Sequence, residues 1–181
     1  CGVHGLRLRE GFAADEPVLY GETLLGDAVA APLDLALLEP SADFLPRLPE
    51  RYRRRAVRLL TLAAAQHEPG PCFIKPVDEK CFPARVYASG AALEVADLDP
   101  ELPVLVAEPV RFSIEYRVFV RERQVATLSP YIREGEIARD AAGEWPSPPG
   151  EQDEAQAFAR RLLADPEVEL PPAVVVDVGR M

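Results

Sequence analysis

Cysteine, histidine and lysine are all scarce in this chain, and each scarcity excludes a chemistry. Three cysteines among 181 residues, at positions 1, 72 and 81, make no CxxC pair and no disulfide framework, which points to a reduced, cytoplasmic setting. The two histidines, His4 and His67, lie far apart with no cysteine or acid at ligand spacing. That speaks against a zinc site and against a histidine-based triad. The single tryptophan and the tyrosines form no stripe on which bases could stack. Neither GxxxxGK[ST] nor GxGxxG occurs, so a P-loop and a classical dinucleotide fingerprint are absent. No apolar run approaches the ~20 residues of a membrane span, and no signal-peptide pattern opens the chain. Thirty acids against twenty bases leave a net charge of −10, which argues against nucleic acid or an anionic membrane as partner.

What is present suits a globular chain: 48% of the residues are hydrophobic and 28% charged, enough to bury a core without disulfides or structural metal. The basic residues are unevenly made up. Eighteen of the twenty are arginine, and the two lysines, Lys75 and Lys80, lie five positions apart. An ammonium is a compact, strongly hydrated point charge rather than a planar fork, and phosphate neutralisation is one task that suits it.

Along the chain, residues 3–8 and 17–20 read as short strands, 23–31 as a helix with Thr23 as N-cap and Pro32 as its stop, and 35–38 as a buried strand. Together they suggest a small α/β unit, with Pro46 and Pro49 marking a boundary after it. Helical spacing of Val57, Leu60 and Ala64 predicts one long helix over 51–66, its Arg51, Arg53, Arg54 and Arg55 forming a solvated face. Strands are expected at 72–75, carrying Lys75 at the end, at 84–88 and at 103–106, with a charged loop over 76–83. Phe112, Ile114, Tyr116, Val118 and Val120 then alternate with Ser113, Glu115, Arg117 and Phe119, the period-two signature of a strand with one buried face. A turn at 121–123 folds it onto 125–131 as a hairpin. After a polar, proline-containing loop over 133–150, Ala155, Phe158, Ala159, Leu162 and Leu163 mark an amphipathic helix. A buried strand over 173–178 closes the chain, interrupted by Asp177.

Glu115 and Arg117 share a strand face and can project into one space. Taken alone they also suit an ordinary surface ion pair two residues apart. Asp177 is sharper, because an acid among valines costs desolvation energy unless it faces a cleft, pairs with a base or binds a cation. Cys72 and Cys81 read as core-filling residues rather than nucleophiles.

In order, FIKPVDEKCFPARVY, VLVAEPVRFSIEYRVFV and VVVDVG resemble the ATP-grasp superfamily, most closely its small ATP-grasp domain proteins, over about residues 70–181. A protein-kinase reading fails, because both histidines precede Lys75 and no H-R-D loop can lie between it and Asp177. The resemblance implies an α+β ATP-grasp fold of two lobes with the adenine between them: a partial N-terminal strand–helix–strand unit over 1–46, an N-lobe over 47–107 and a C-lobe over 108–181. It further implies that Lys75 contacts the nucleotide phosphates and that the backbone of Glu108 and Val110 reads the adenine edge. Glu115 would lie near the ribose or phosphates, Arg117 would neutralise the transferred phosphate as catalytic residue, and Asp177 would bind Mg²⁺. Lys80 would lie on the phosphate-covering loop, which here departs from the superfamily in holding no glycine. The implied activity is ATP- and Mg²⁺-dependent joining of a small-molecule carboxylate to an amine or thiol through an acyl phosphate, by a chain that could form a homodimer. A non-catalytic nucleotide-binding module or sensor is the alternative, and a structural α/β domain comes last. ADP release dependent on carboxylate and amine separates the first two. The resemblance also implies a further hairpin strand with Glu-x-Asn after Asp177. The chain, which starts at Cys1 without an initiator Met, is therefore expected to be truncated at both ends.

Overall fold

Residues 40–77, 81–95 and 97–181, with Gly26, Ala30, Asp34 and Leu38 before them, are described by a computed structural model of the chain. Two units divide it, Cys1–Glu39 and Pro40–Met181, and the architecture below is that of the second. The strands expected at 3–8, 17–20 and 35–38 and the helix at 23–31 lie, apart from isolated positions, outside the described residues.

The unit opens with two helical turns, α1 (Phe44–Arg47) and α2 (Glu50–Arg53). The long helix expected over 51–66 does not form. Arg54, at φ 50°, turns the chain out of the helix, and Val57–Thr61 becomes strand β1. Pairing decides this: β1 lies antiparallel to β4 (Pro103–Ala107), Val57 opposite Ala107 and Thr61 opposite Pro103. A valine and a threonine suit a pleated, half-buried surface better than a helix. Only Leu62–Ala65 is helical (α3), capped by Thr61, whose hydroxyl accepts from Ala64 N–H at 3.2 Å.

β2 (Cys72–Pro76) and β3 (Arg85–Tyr87) complete an antiparallel sheet ordered β1-β4-β2-β3. One face buries Cys72, Ile74, Val104 and Val106 against Leu62, Ala65, Phe82, Tyr87 and Leu93. On the other face Val57, Leu105 and Ala107 pack with Leu59 and Phe73. Cys72 is thus a core residue whose burial pushes the thiol up, away from reactivity.

β5 (Ile114–Arg121), β6 (Gln124–Arg133), β7 (Glu136–Ile137) and β8 (Ala173–Arg180) form a second antiparallel sheet ordered β7-β6-β5-β8. The alternation holds: Ile114, Tyr116, Val118 and Val120 are buried, each worth about 1.5–3 kcal/mol of transfer free energy. They pack on helix α4 (Asp153–Ala164) through Ala155, Ala159, Leu162 and Leu163. The β5–β6 turn places Glu122 and Arg123 at φ 49° and 60°, the left-handed pair of a two-residue hairpin turn. Arg123 offsets its backbone cost by donating to the carbonyls of Leu163 (2.9 Å), Val168 (3.0 Å) and Asp165 (2.7 Å), capping the end of α4.

β8 corrects a second expectation. It is an edge strand rather than a strand buried on both faces. Val174, Val176 and Val178 pack on the core, while Val175 on the opposite face is 48% exposed. The valine run is continuous because an open sheet face follows, not because both faces are covered. No helix among the described residues is long and apolar enough to cross a membrane.

Candidate functional site

The open face of the second sheet presents Glu115, Arg117 and Phe119 from β5, between the core-facing residues. On β8 the register sets Asp177 directly opposite Arg117. Arg117 Nε donates to Asp177 Oδ1 at 3.0 Å and Nη2 donates to Oδ2 at 2.8 Å, a bidentate fork on a carboxylate. The guanidinium also lies 3.7 Å from the centroid of the Tyr131 ring, a cation–π contact that fixes its plane. The hydrogen bonds to Asp177 tighten Arg117's hold on its proton. Both side chains keep contact with solvent, 35% and 39% exposed, so the pair adds only about 0–1 kcal/mol to stability. Asp177 therefore finds the base that an acid among valines requires. That base is not the ion-pair partner which Arg117's spacing from Glu115 suggested.

Glu115, beside this pair, is half-buried. Burial pushes its carboxyl above the usual range, and the charge of Asp177 adds to the rise, while Arg55 and Arg117 pull against it. Arg55 is also half-buried, and desolvation lowers its pKa against the pull of Glu115. Its guanidinium carbon is 5.5 Å from the centroid of Phe112 and 6.0 Å from that of Phe73, so it touches an aromatic ring from each sheet region. Phe112 in turn lies on Gly179, where a Cβ would come within 2.4 Å of the ring. Only glycine permits this approach.

The four-arginine cluster is accordingly not one solvated face. Arg51 pairs with Asp165 and Glu167, both at 2.5 Å, Arg53 donates to Arg55 O at 3.1 Å, and Arg55 enters the site. A cleft of about 400 Å³ beside β8 is bordered by Arg53, Arg54, Arg55, Phe112 and Asp177 among others.

Lys75 stands on β2 opposite Leu105, on the sheet face that also carries Phe73, Leu59 and Ala107. It makes no ion pair among the described residues. The segment following β4 is pinned at Glu108, whose N–H donates to Ala56 O at 3.1 Å and whose Oε2 accepts from Ala56 N–H at 2.8 Å. The carboxylate of Glu108 is thus used within the fold. Its carbonyl and the Val110 N–H bond no other protein group among the described residues.

A family model for the ATP-grasp domain, that of the second family of its clade, matches residues 52–181. The chain belongs to this ATP-grasp family. No curated protein matches it. Two solved structures are similar. One is the ATP-grasp ligase PsnB complexed with minimal precursor, Mg and ADP, at 18% identity and TM-score 0.42, over 87% of this chain and 54% of that one. The other is PsnB complexed with precursor peptide PsnA2 and AMPPNP, at 20% identity and TM-score 0.39, over 87% of this chain and 53% of that one. The chain thus spans about half the length of these proteins.

Within this ATP-grasp domain Glu115, Arg117 and Asp177 come together, from motifs about sixty residues apart. Lys75 stands on the other sheet, whose face reaches the site through Phe73 and Arg55. Glu108 and Val110 lie on the segment joining the two sheets, and Lys80 lies outside the described residues. Sequence reasoning missed Arg55, Phe112 and Tyr131. Arg55 was hidden in RYRRRAV; recognising VRLLT as a strand would have set it apart from the other arginines.

Proposed function

We propose that this ATP-grasp domain carries out Mg²⁺- and ATP-dependent joining of a carboxylate to an amine or thiol through an acyl phosphate. Small molecules would be its substrates and the cytoplasm its compartment, without nucleic acid or membrane. The observation that carries the reading is the Arg117–Asp177 fork with half-buried Glu115 beside it on an open sheet face. An arginine fork fits a phosphoryl group as well as a carboxylate, so phosphate can take Asp177's place on Arg117. The guanidinium would then neutralise charge that grows during transfer. The Lys75 ammonium would balance the other phosphates. The Glu108 carbonyl and Val110 N–H, which bond no other protein group among the described residues, would read the adenine edge, with the Glu108–Ala56 bonds holding that segment still. Nothing in this scheme needs a covalent nucleophile, and positioning with charge neutralisation is the main requirement of phosphoryl transfer.

The donor set fits magnesium. Glu115 and Asp177 are oxygen donors on one face, and the raised pKa of Glu115 reflects charge that a cation would offset. One or two carboxylates completed by phosphates and waters are what Mg²⁺ ordinarily takes. When bound, it supplies charge neutralisation at the phosphates. Asp177 with Glu115 would hold it.

The non-catalytic reading keeps one observation in its favour: among the described residues no three His, Cys, Asp or Glu side chains gather as a metal site. ADP release dependent on added carboxylate and amine decides for the ligase. Nucleotide binding without such release decides for the module. A thermal shift with Mg-ATP reads binding itself, since ligand at 100 times Kd stabilises by about 2.7 kcal/mol. No shift at millimolar Mg-ATP would defeat both.

A further inference from the structure

Past the Arg117–Asp177 row, the open face of the second sheet changes character. Phe119 is the next outward residue on β5 and Val175 is its register partner on β8, with Thr127 opposite Phe119 on β6. Phe119 is 44% and Val175 48% exposed. Isolated exposed apolar residues are ordinary on a protein surface. Here a phenylalanine and a valine are direct cross-strand neighbours, whose side chains meet, and they continue a row of charged residues without a gap. The following row carries Arg121 opposite Ala173, so the apolar patch is bounded by charge at both ends.

Distance along the strand gives the patch a meaning. Outward residues on a strand repeat about every 6.6 Å. The segment of Glu108 and Val110 precedes β5, Glu115 and then Arg117 follow, and Phe119 comes one repeat later. If adenine is read at that segment and the transferred phosphate meets Arg117, the group attached to the phosphate acceptor falls on Phe119 and Val175. We propose that these two residues form an apolar subsite selecting a carboxylate substrate with an aliphatic chain or aromatic ring next to its carboxyl group. The inference rests on the ligase reading and adds to it the substrate class. Phe119 and Val175 act in specificity and touch no reacting atom.

The test is calorimetric titration of acetate, butanoate, hexanoate and 3-phenylpropanoate into the full chain saturated with Mg-AMPPNP. A chain that buries part of its methylenes on the patch gains affinity, and hexanoate should bind about tenfold more tightly than acetate. Phe119→Ser with Val175→Ser should flatten the series to within about twofold while leaving Mg-AMPPNP affinity as it was. Val175→Thr, close to isosteric, reads the same loss in part if the double variant does not fold. Equal affinity for acetate and hexanoate overturns the inference, as does no detectable binding of any carboxylate or a gradient that survives the substitutions. Should Mg-AMPPNP itself not bind, the ligase reading fails and the subsite with it. Nucleotide binding without the gradient removes the subsite alone.

Discussion

Arg117 and Asp177 neutralise each other through two hydrogen bonds across neighbouring strands, on a sheet face that leaves both half-open to solvent. In the proposed reaction each has a competing partner, phosphate for the guanidinium and a cation for the carboxylate. Arg117→Ala should therefore act mainly on turnover. Loss of a group aimed at developing charge lowers kcat by about 10²–10³-fold, and the KM for ATP should move far less. Steady-state ADP release measures both. An equal loss in both parameters would make Arg117 a uniform binder of ground and transition states.

Lys75 has no ion-pair partner among the described residues, so removing its charge should leave folding nearly unchanged. Lys75→Ala is expected to weaken Mg-ATP by about 1.5–3 kcal/mol, the size of a charge-assisted hydrogen bond. Lys75→Arg should not restore full affinity, because the guanidinium is longer and planar. Calorimetric titration of Mg-AMPPNP beside a thermal melt checks both statements, and unchanged affinity in the two variants would move the phosphate site elsewhere.

Gly179 and Phe112 should be coupled. A methyl group at 179 would stand 2.4 Å from the Phe112 ring, and overpacking of this kind costs about 1–3 kcal/mol. Gly179→Ala alone is expected to lower the urea midpoint and to displace the ring that Arg55 rests on. With Phe112→Leu the clash is relieved, and the double variant should lose less than the two single losses combined. Strict additivity would show that the ring does not depend on Gly179.

Asp165 should give the fold a measurable acid limb. Hydrogen bonds from Arg51, the Glu167 N–H and Tyr52 hold its carboxyl down at about 2, below the ~3.9 of an unfolded chain. A group with a depressed folded pKa binds protons less readily when folded. Its contribution is therefore complete above about pH 4 and fades as pH falls towards 2. Asp165→Asn should be less stable than the wild type at neutral pH, and the gap between their urea midpoints should close across that window. A gap independent of pH would assign the loss to geometry rather than charge.

Where a residue's surroundings follow from its near neighbours in the chain, the sequence alone sufficed. Alternation over residues 112–120 dictates strand β5 and its buried face, because the pleat repeats every two residues. Helical spacing from Ala155 to Leu163 dictates α4, and the ordered motifs around Lys75, Glu115, Arg117 and Asp177 identify the family. What the tertiary structure decided depends on segments meeting from far along the chain. Val57, Leu60 and Ala64 fit a helix by spacing, yet hydrogen bonds to β4 and the left-handed turn at Arg54 made the stretch a strand. Arg117's partner is not Glu115, two residues away, but Asp177, sixty residues on, because β5 and β8 pair in that register. Arg55 left the solvent because Phe73 and Phe112, from two other segments, enclose it. Local periodicity encodes which face of a strand or helix is apolar; which strand lies beside which, and hence which charges meet, is settled only when the sheets form.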